Sequence, residues 1–438
     1  MGRRPARAER AACALALAAA LGGLACCRGR PPAGPATIVC WGLGREGEVL
    51  QDLVPEFERA HPGLRVRVQQ VPWRAAHEKL LTAFVGESTP DVAQLGNTWI
   101  PEFVAVGALA PLDARVAASA VVRPEGTFPG IWRTNVVDGA LYGVPWYVDT
   151  RALFYRRDLL EEAGVPAAPR TWAEWREAMA RVKARGGPGR FGALMPLNEW
   201  AQPVLLGVQN GATLLRDGGR HGAFTDPHFR AAFAFYVGLF KDGLAPTLVQ
   251  SQVSNMYQQF AAGDFAFFVN GPWNLGELRR RLPQMEGRWA VAPLPHPEAG
   301  ARRPGASLAG GSSLVLFRAS PRQDAAWKLV EFLSRPEQQV RLFAASGDLP
   351  AQQAAWDHPS LAGDAALGAF RVQLAHVEPM PRVPEWERIA TRVAEAAEQA
   401  ARGETDVDEA LRRLDADVDR LLDKRRFLLA RRAGPGTR

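Results

Sequence analysis

With four cysteines in 438 residues, the chain has little material for a disulfide framework. Cys13, Cys26 and Cys27 stand in or beside an N-terminal leader, so Cys40 has no obvious partner and no structural disulfide is expected. The seven histidines show no metal-ligand spacing, and neither H-E-x-x-H nor G-x-S-x-G occurs, which removes the usual zinc-peptidase and serine-hydrolase readings. No metal and no cofactor is expected. An excess of one charge is also lacking. Of the formal +7, four arginines less Glu9 in the leader contribute +3, and the +4 that remains does not imply a nucleic-acid partner. No internal repeat and no low-complexity domain follows Ala36.

What is present begins with that leader. Arg3, Arg4, Arg7 and Arg10 precede an Ala/Leu-rich run, Ala11 to Leu24, too short to span a bilayer comfortably, and the pattern predicts a signal peptide over residues 1–26. The run ends in Leu-Gly-Gly-Leu-Ala-Cys-Cys, which resembles the lipobox of bacterial lipoproteins. Cys26 is the preferred acylated residue because alanine precedes it; Cys27 is the alternative, and an ordinary cleaved signal without lipid is a second one. Residues 27–36 are rich in Pro and Gly and read as a tether extending about 3 Å per residue where it is polyproline-like. The protein is therefore expected outside the cytoplasm, on the periplasmic or cell-surface side, held by a lipid anchor.

The body of the chain opens with strand, helix and strand: Thr37–Trp41, then Val49, Leu50, Leu53, Val54 and Phe57 at helical spacing, then alternating Leu64, Val66 and Val68. A second helix over about His77–Val85 leads into a strand over Asp91–Leu95. This order predicts an α/β fold with a parallel sheet, and ligands of such sheets lie beyond the carboxyl ends of the strands. Trp41, Trp73 and Asn97 to Trp99 fall there. Gly42-Leu43-Gly44-Arg45-Glu46-Gly47 matches G-x-G-x-x-G, but the end of the second strand offers Gln69 and Gln70 where a nucleotide site needs an acid, so the glycines read as a close-approach turn.

The stretch Tyr142–Tyr155, YGVPWYVDTRALFY, reads as a hinge that also touches ligand. Val148–Tyr155 is strand-like, and Trp146, Tyr147 and Asp149 offer aromatic faces beside a carboxylate, a combination suited to a sugar ring. Further on, Thr171 and Glu174 form a capping box opening a polar surface helix. Asp226–Gly243 is an amphipathic helix, and the buried strand Phe265–Val269 ends at Gly271-Pro272-Trp273. Ser307–Gly311 is a Gly-rich approach to the strand Ser313–Phe317, Glu378–Arg382 is an extended loop, and the last helices run over about Glu385–Gly403 and Asp406–Phe427.

Several of these segments, in this order, resemble the family 1 extracellular solute-binding proteins of ABC importers, the group that contains maltose-binding protein. The residues that carry the likeness are Phe57–Gly63, Pro90-Asp91-Val92, Gly107–Asp113, the hinge stretch with Arg156–Leu160, Gly263-Asp264 through Trp273, and Ala326-Trp327 through Gln338. The resemblance implies two discontinuous α/β lobes of the periplasmic-binding-protein type (type II), closing on ligand about a hinge. It places the N-terminal lobe at 37–148 and 291–318, the C-terminal lobe at 149–290 and 319–426, and a basic tail at 427–438. It implies no catalysis, a sugar or oligosaccharide ligand and an ABC permease as partner; a monomer is expected because nothing in the sequence resembles an exposed association helix. The ligand positions it implies are Trp41, Gly42, Asn97, Trp99, Tyr147, Asp149, Trp273, Gly310, Gly311 and Arg382. Two alternatives stay open: a glycerol 3-phosphate or glycerophosphodiester ligand with Arg382 on the phosphate, and a secreted glycosidase with paired carboxylates such as Asp149 and Asp91. A polyamine ligand is disfavoured by the small number of carboxylates among these residues.

Overall fold

The computed structural model describes residues 35–253 and 255–432. The predicted signal peptide, Cys13, Cys26, Cys27, nearly all of the tether and the last six residues of the predicted basic tail lie outside them. Ten strands carry the architecture: β1 (Ala36–Leu43), β2 (Leu64–Val71), β3 (Val92–Gly96), β4 (Val144–Asp149), β5 (Ala152–Arg156), β6 (Phe191–Leu194), β7 (Phe265–Asn270), β8 (Trp289–Ala292), β9 (Gly310–Leu316) and β10 (Leu349–Pro350).

They form two main sheets. The first has the order β10-β4-β9-β3-β1-β2, and the second β8-β5-β7-β6. In the first, β1 pairs parallel with β2 and β3, while β9 is antiparallel to both β3 and β4, so β1 to β4 all point one way. In the second, β6, β7 and β8 share a direction and β5 runs against them. The predicted strand Val148–Tyr155 is thus two strands in two sheets. It breaks at Thr150-Arg151, where the Thr150 hydroxyl donates to the Leu308 carbonyl and Ser307 Oγ accepts from Arg151 N–H and donates to Arg151 O. Two crossovers between the lobes are pinned to each other there.

The lobe boundaries expected from the sequence shift accordingly. Helices Gln323–Leu333 and Pro336–Ser346 belong to the N-terminal lobe: their Ala326, Trp327, Val330 and Leu342 pack with Ile38, Leu50 and Phe57. Trp289–Ala292 lies in the C-terminal sheet. The N-terminal lobe is therefore built from 36–149 and 310–350, and the C-terminal lobe from 152–292 and the helices after 365. The chain returns by a third crossover through Gln353–Asp357 to helix Ala365–Leu374, which packs on β8 and β5. Around the crossovers, Phe128, Ile131 and Val148 share an apolar cluster with Phe154, Phe268 and Phe370.

Local chemistry accounts for the elements. Helix Trp172–Gly186 starts where Thr171 Oγ1 accepts the Glu174 N–H at 3.2 Å and the Glu174 carboxylate accepts the Arg170 N–H at 2.7 Å. It buries Trp172, Trp175, Met179 and Val182, so it is amphipathic and not a polar surface element. Asp226 caps the helix Pro227–Lys241. Cys40 is a buried free thiol, which burial pushes up to about 12 and keeps unreactive.

Candidate ligand-binding crevice

The carboxyl ends of β1 to β4 and those of β6 to β8 face the same crossover, because only Thr150 and Arg151 separate the end of β4 from the start of β5. The space between them is where an α/β sheet places its ligand.

On the N-terminal side the centre is Glu46, in the first turn of helix Gly44–Ala60 and 6% exposed. Its carboxylate accepts the Tyr147 hydroxyl at 2.9 Å and the Trp73 indole N–H at 3.4 Å. Ser312 Oγ donates to Tyr147 at 3.2 Å, Gln94 Nε2 donates to Ser312 at 3.3 Å, and Gln94 Oε1 accepts the Leu43 N–H at 2.8 Å. This buried chain runs across four strands, β4, β9, β3 and β1, and holds Glu46 in one orientation. Burial first, and then the Glu46 charge, push the Tyr147 phenol well above its ordinary range, so it stays a donor. Trp73 and Trp99, both half-buried, meet edge to face at 5.7 Å beside Glu46, and His77 packs on Trp99 while bonding Glu102 at 2.7 Å.

Asp149 closes the carboxyl end of β4. On one side it pairs with Gly310, where an added Cβ would collide with the Asp149 carboxylate. On the other side Leu349 pairs with Val148, and the antiparallel register sets Asp348 opposite Asp149. Burial, and then the nearby Glu46 and Asp149 charges, raise the Asp348 carboxyl to about 7. Asp149 in turn binds Arg151 at 3.1 Å, and the Arg151 guanidinium lies 4.8 Å from the centre of the Trp273 ring.

Trp273 is the chief element of the C-terminal side. It opens helix Trp273–Arg281 directly after β7 and the Gly271-Pro272 turn, and 41% of it is exposed. Arg151 covers one face of the ring. After β6, the loop reaches Glu199 and half-buried Trp200, whose ring is set edge to face against Trp386 at 5.6 Å.

The predicted positions divide between ligand-facing and structural places. Trp73, Trp99, Asp149 and Trp273 come together at the crevice. Tyr147 borders it through its bond to Glu46, but is itself 6% exposed. Trp41, 6% exposed, packs between sheet and helix with Lys79 over its ring, so it belongs to the core. Asn97 is 4% exposed; its amide donates to Gly310 O and accepts from Ser313 Oγ, tying β3 to β9. Gly42 is needed because a Cβ there would lie 2.6 Å from Gly47 Cα; the turn serves strand-to-helix packing and not ligand approach. Gly311 has φ +113° and its hydrogen faces the Tyr147 carbonyl, so it shapes the strand pair. Arg382 stands elsewhere: it donates to Val136 O at 2.8 Å and lines a separate cavity that contains none of Glu46, Asp149, Arg151 or Trp273.

Sequence reasoning missed Glu46, Arg151, Trp200 and Asp348 as candidates. Glu46 and Arg151 lie inside the two motifs already singled out and could have been added from them. Asp348 has no local signal, since only the register of β10 on β4 brings it to Asp149. The assembled crevice has aromatic faces and carboxylates from the N-terminal lobe and an open indole with a guanidinium behind it from the other. It can stack on ring faces and exchange hydrogen bonds with hydroxyl groups.

A family model of bacterial extracellular solute-binding proteins matches residues 41–340. The sugar-binding protein MalE of Xanthomonas citri is 48% identical, with a TM-score of 0.87 over 90% of this chain and 99% of that one. The GacH receptor of Streptomyces glaucescens, solved without ligand and with acarbose, is 26% identical with a TM-score of 0.75 over 89% of this chain and 98% of its own. The diacetylchitobiose-binding protein DasA of Streptomyces coelicolor is 26% identical over 76% of this chain and 77% of its length.

Proposed function

The chain belongs to the bacterial extracellular solute-binding proteins, and we propose that it captures a sugar or oligosaccharide between its lobes and hands it to an ABC permease when they close. The observation that carries this reading is Trp273, an indole with one face backed by Arg151 and with much of its surface open, set across the crossover from Trp73, Trp99 and Glu46. A ligand shifts a two-lobe protein toward closure only through contacts it makes better in the closed state. Groups on both lobes supply them: the Trp273 face from one, and Glu46 with Asp149 from the other.

The reading includes no reaction at this site. Asp91, the second carboxylate of the glycosidase alternative, is 2% exposed; it accepts the Val39 N–H, the Ser320 hydroxyl and the Arg322 guanidinium, and so cannot face a substrate beside Asp149. The glycerol 3-phosphate alternative loses its anchor with Arg382 away from the crevice, where Glu46, Asp149 and Asp348 oppose an anion. Those same carboxylates make the site richer in acid than the sequence indicated. They favour keeping a polyamine as the second reading, weakened by the Arg151 pair on Asp149. Acylation at Cys26 or Cys27, the permease partner and the monomeric state complete the proposal.

Thermal unfolding of the domain from Thr37 onward, with a panel of α- and β-linked oligosaccharides, glycerol 3-phosphate and a polyamine, tests it. A ligand at a hundred times its dissociation constant should stabilise by about 2.7 kcal/mol. A sugar that stabilises and is recovered intact is the expected outcome. Recovery of a cleaved sugar, or a shift with the polyamine alone, defeats the sugar-import reading.

A further inference from the structure

The cavity that holds Arg382 encloses about 1000 Å³ and takes its walls from both lobes: Arg133 and Asp138 on one side, Gln209 and Arg425 on the other, with His296, Arg303 and His376 from the connecting segments. It lines four arginines against two carboxylates, Asp138 and Glu378. Among the described residues only Arg133 of these is paired, with Glu378 at 3.0 Å. Arg382 donates solely to the carbonyls of Arg133 and Val136, and Arg425 to that of Gly219. Arg303 makes no hydrogen bond or ion pair among the described residues. Other arginines are matched to acids, as at Arg230 with Asp408 and Arg279 with Asp364. In this cavity Arg303, Arg382 and Arg425 converge with no carboxylate partner among the described residues.

A buried amide donor and a histidine ring join them. Gln209 is 8% exposed; its carbonyl oxygen accepts from the Trp172 indole, while its Nε2 has no partner among the described residues. His296 is 5% exposed as a residue and its Nδ1 accepts the Glu298 N–H at 3.0 Å, which leaves Nε2 as the donor of the neutral ring. A buried donor left unsatisfied is costly, and an acceptor supplied by a ligand removes the cost.

We propose that this cavity is a second ligand site, for a soluble anion carrying two or more phosphate groups. Guanidinium forks match phosphate oxygens in pairs, and the volume sits at the upper end of ordinary ligand pockets, well beyond a single orthophosphate. The site shares no residue with the sugar crevice and stands whether or not a sugar binds there.

Calorimetric titration of the protein with pyrophosphate, at ionic strength held constant with chloride, tests the assignment. Saturable binding to one site is expected, with orthophosphate weaker. Arg303→Gln removes a side chain that supports nothing else and should weaken pyrophosphate about fivefold, the Coulomb contribution of one charge at contact distance in a water-like medium. Adding Arg382→Gln should weaken it by a similar factor again. Arg280→Gln, on the outer face of helix Trp273–Arg281, removes the same charge elsewhere and should leave binding unchanged. No saturable binding, or an equal loss in Arg280→Gln and Arg303→Gln, overturns the proposal.

Discussion

The two sides of the crevice are made in opposite ways. On the N-terminal side, Glu46 is held by a buried chain of hydrogen bonds through Tyr147, Ser312 and Gln94 to the backbone of β1, and every member is a core residue of the sheet. On the C-terminal side Trp273 projects from a helix start, with Arg151 as a contact on its ring. One side is positioned by the fold, so its cost was met when the lobe folded; the other is positioned by little and can adapt to what arrives. The contrast teaches where changes should register. Substitutions on the N-terminal side should move stability and, through it, geometry, while substitutions at Trp273 should move affinity alone.

The largest effect should come from Gly311→Ala. The residue has φ +113°, and a Cβ would press on the Tyr147 carbonyl in the partner strand. Strained backbone and overpacking together should cost about 3 kcal/mol in denaturant unfolding. A loss below about 0.5 kcal/mol, the usual range of surface changes, would show that the strand pair under Glu46 is not rigid, and the contrast would fail on its N-terminal side.

Next comes Trp273→Ala, which should weaken binding of whichever sugar stabilises the protein by about 2 kcal/mol, or some thirtyfold, through lost stacking and apolar burial. Its stability should change by less than about 0.5 kcal/mol, because so much of the ring is already in water. Equal losses in melting temperature and affinity would mean that Trp273 is part of the fold.

Asp348→Asn sharpens the contrast through pH. The folded protein holds this carboxyl in its neutral form up to about 7, against 3.8 for the free group, so the folded state binds the extra proton between those values. Stability therefore falls as pH rises through that window, and the penalty is fully present above pH 7. Asparagine carries no such penalty. The variant should melt like the parent at acid pH near 4 and be more stable by on the order of 1 kcal/mol near pH 8, a figure reduced for the part of the carboxyl that stays hydrated. An unchanging difference across the window would place Asp348 in water, away from Glu46 and Asp149.

These expectations also mark what the chain reveals on reading. The opening strands and helices, the hinge stretch and Trp273 behind its Gly-Pro turn were legible, because each is written within a few consecutive residues. The inward direction of Trp41 was not: β1 is buried on both faces over Cys40–Leu43, so no polar alternation separates core from ligand side. Asn97 follows a strand like a ligand residue and is consumed by β9, a partner far along the chain. Helices Gln323–Leu333 and Pro336–Ser346 have amphipathic patterns that would suit either lobe, and only their contacts with Ile38 and Phe57 assign them. Arg382 had the chemistry of a ligand residue and the wrong cavity. Chemistry could be read locally, while the face and the lobe depended on pairing.

The smallest effect is the one that tests how the two sides communicate. Arg151 holds Asp149 of the N-terminal lobe at 3.1 Å and covers Trp273 of the C-terminal lobe, so it is the only side chain among those described that touches both candidate ligand groups. Arg151→Met keeps much of the bulk and removes the charge. If the guanidinium orients the indole, a double-mutant cycle of Arg151→Met with Trp273→Ala, read as sugar affinity, should give a coupling of about 0.5 to 1 kcal/mol, the usual size of a partly exposed cation–π contact. Arg151→Met alone should also alter binding by freeing Asp149, so the single variant decides nothing and the cycle is required. Additive losses would mean that Trp273 finds its pose without Arg151, leaving the C-terminal side adaptable in the full sense. A coupling well above 1 kcal/mol would mean that the two sides act as one preorganised unit, with Arg151 extending the order of the N-terminal lobe across the hinge.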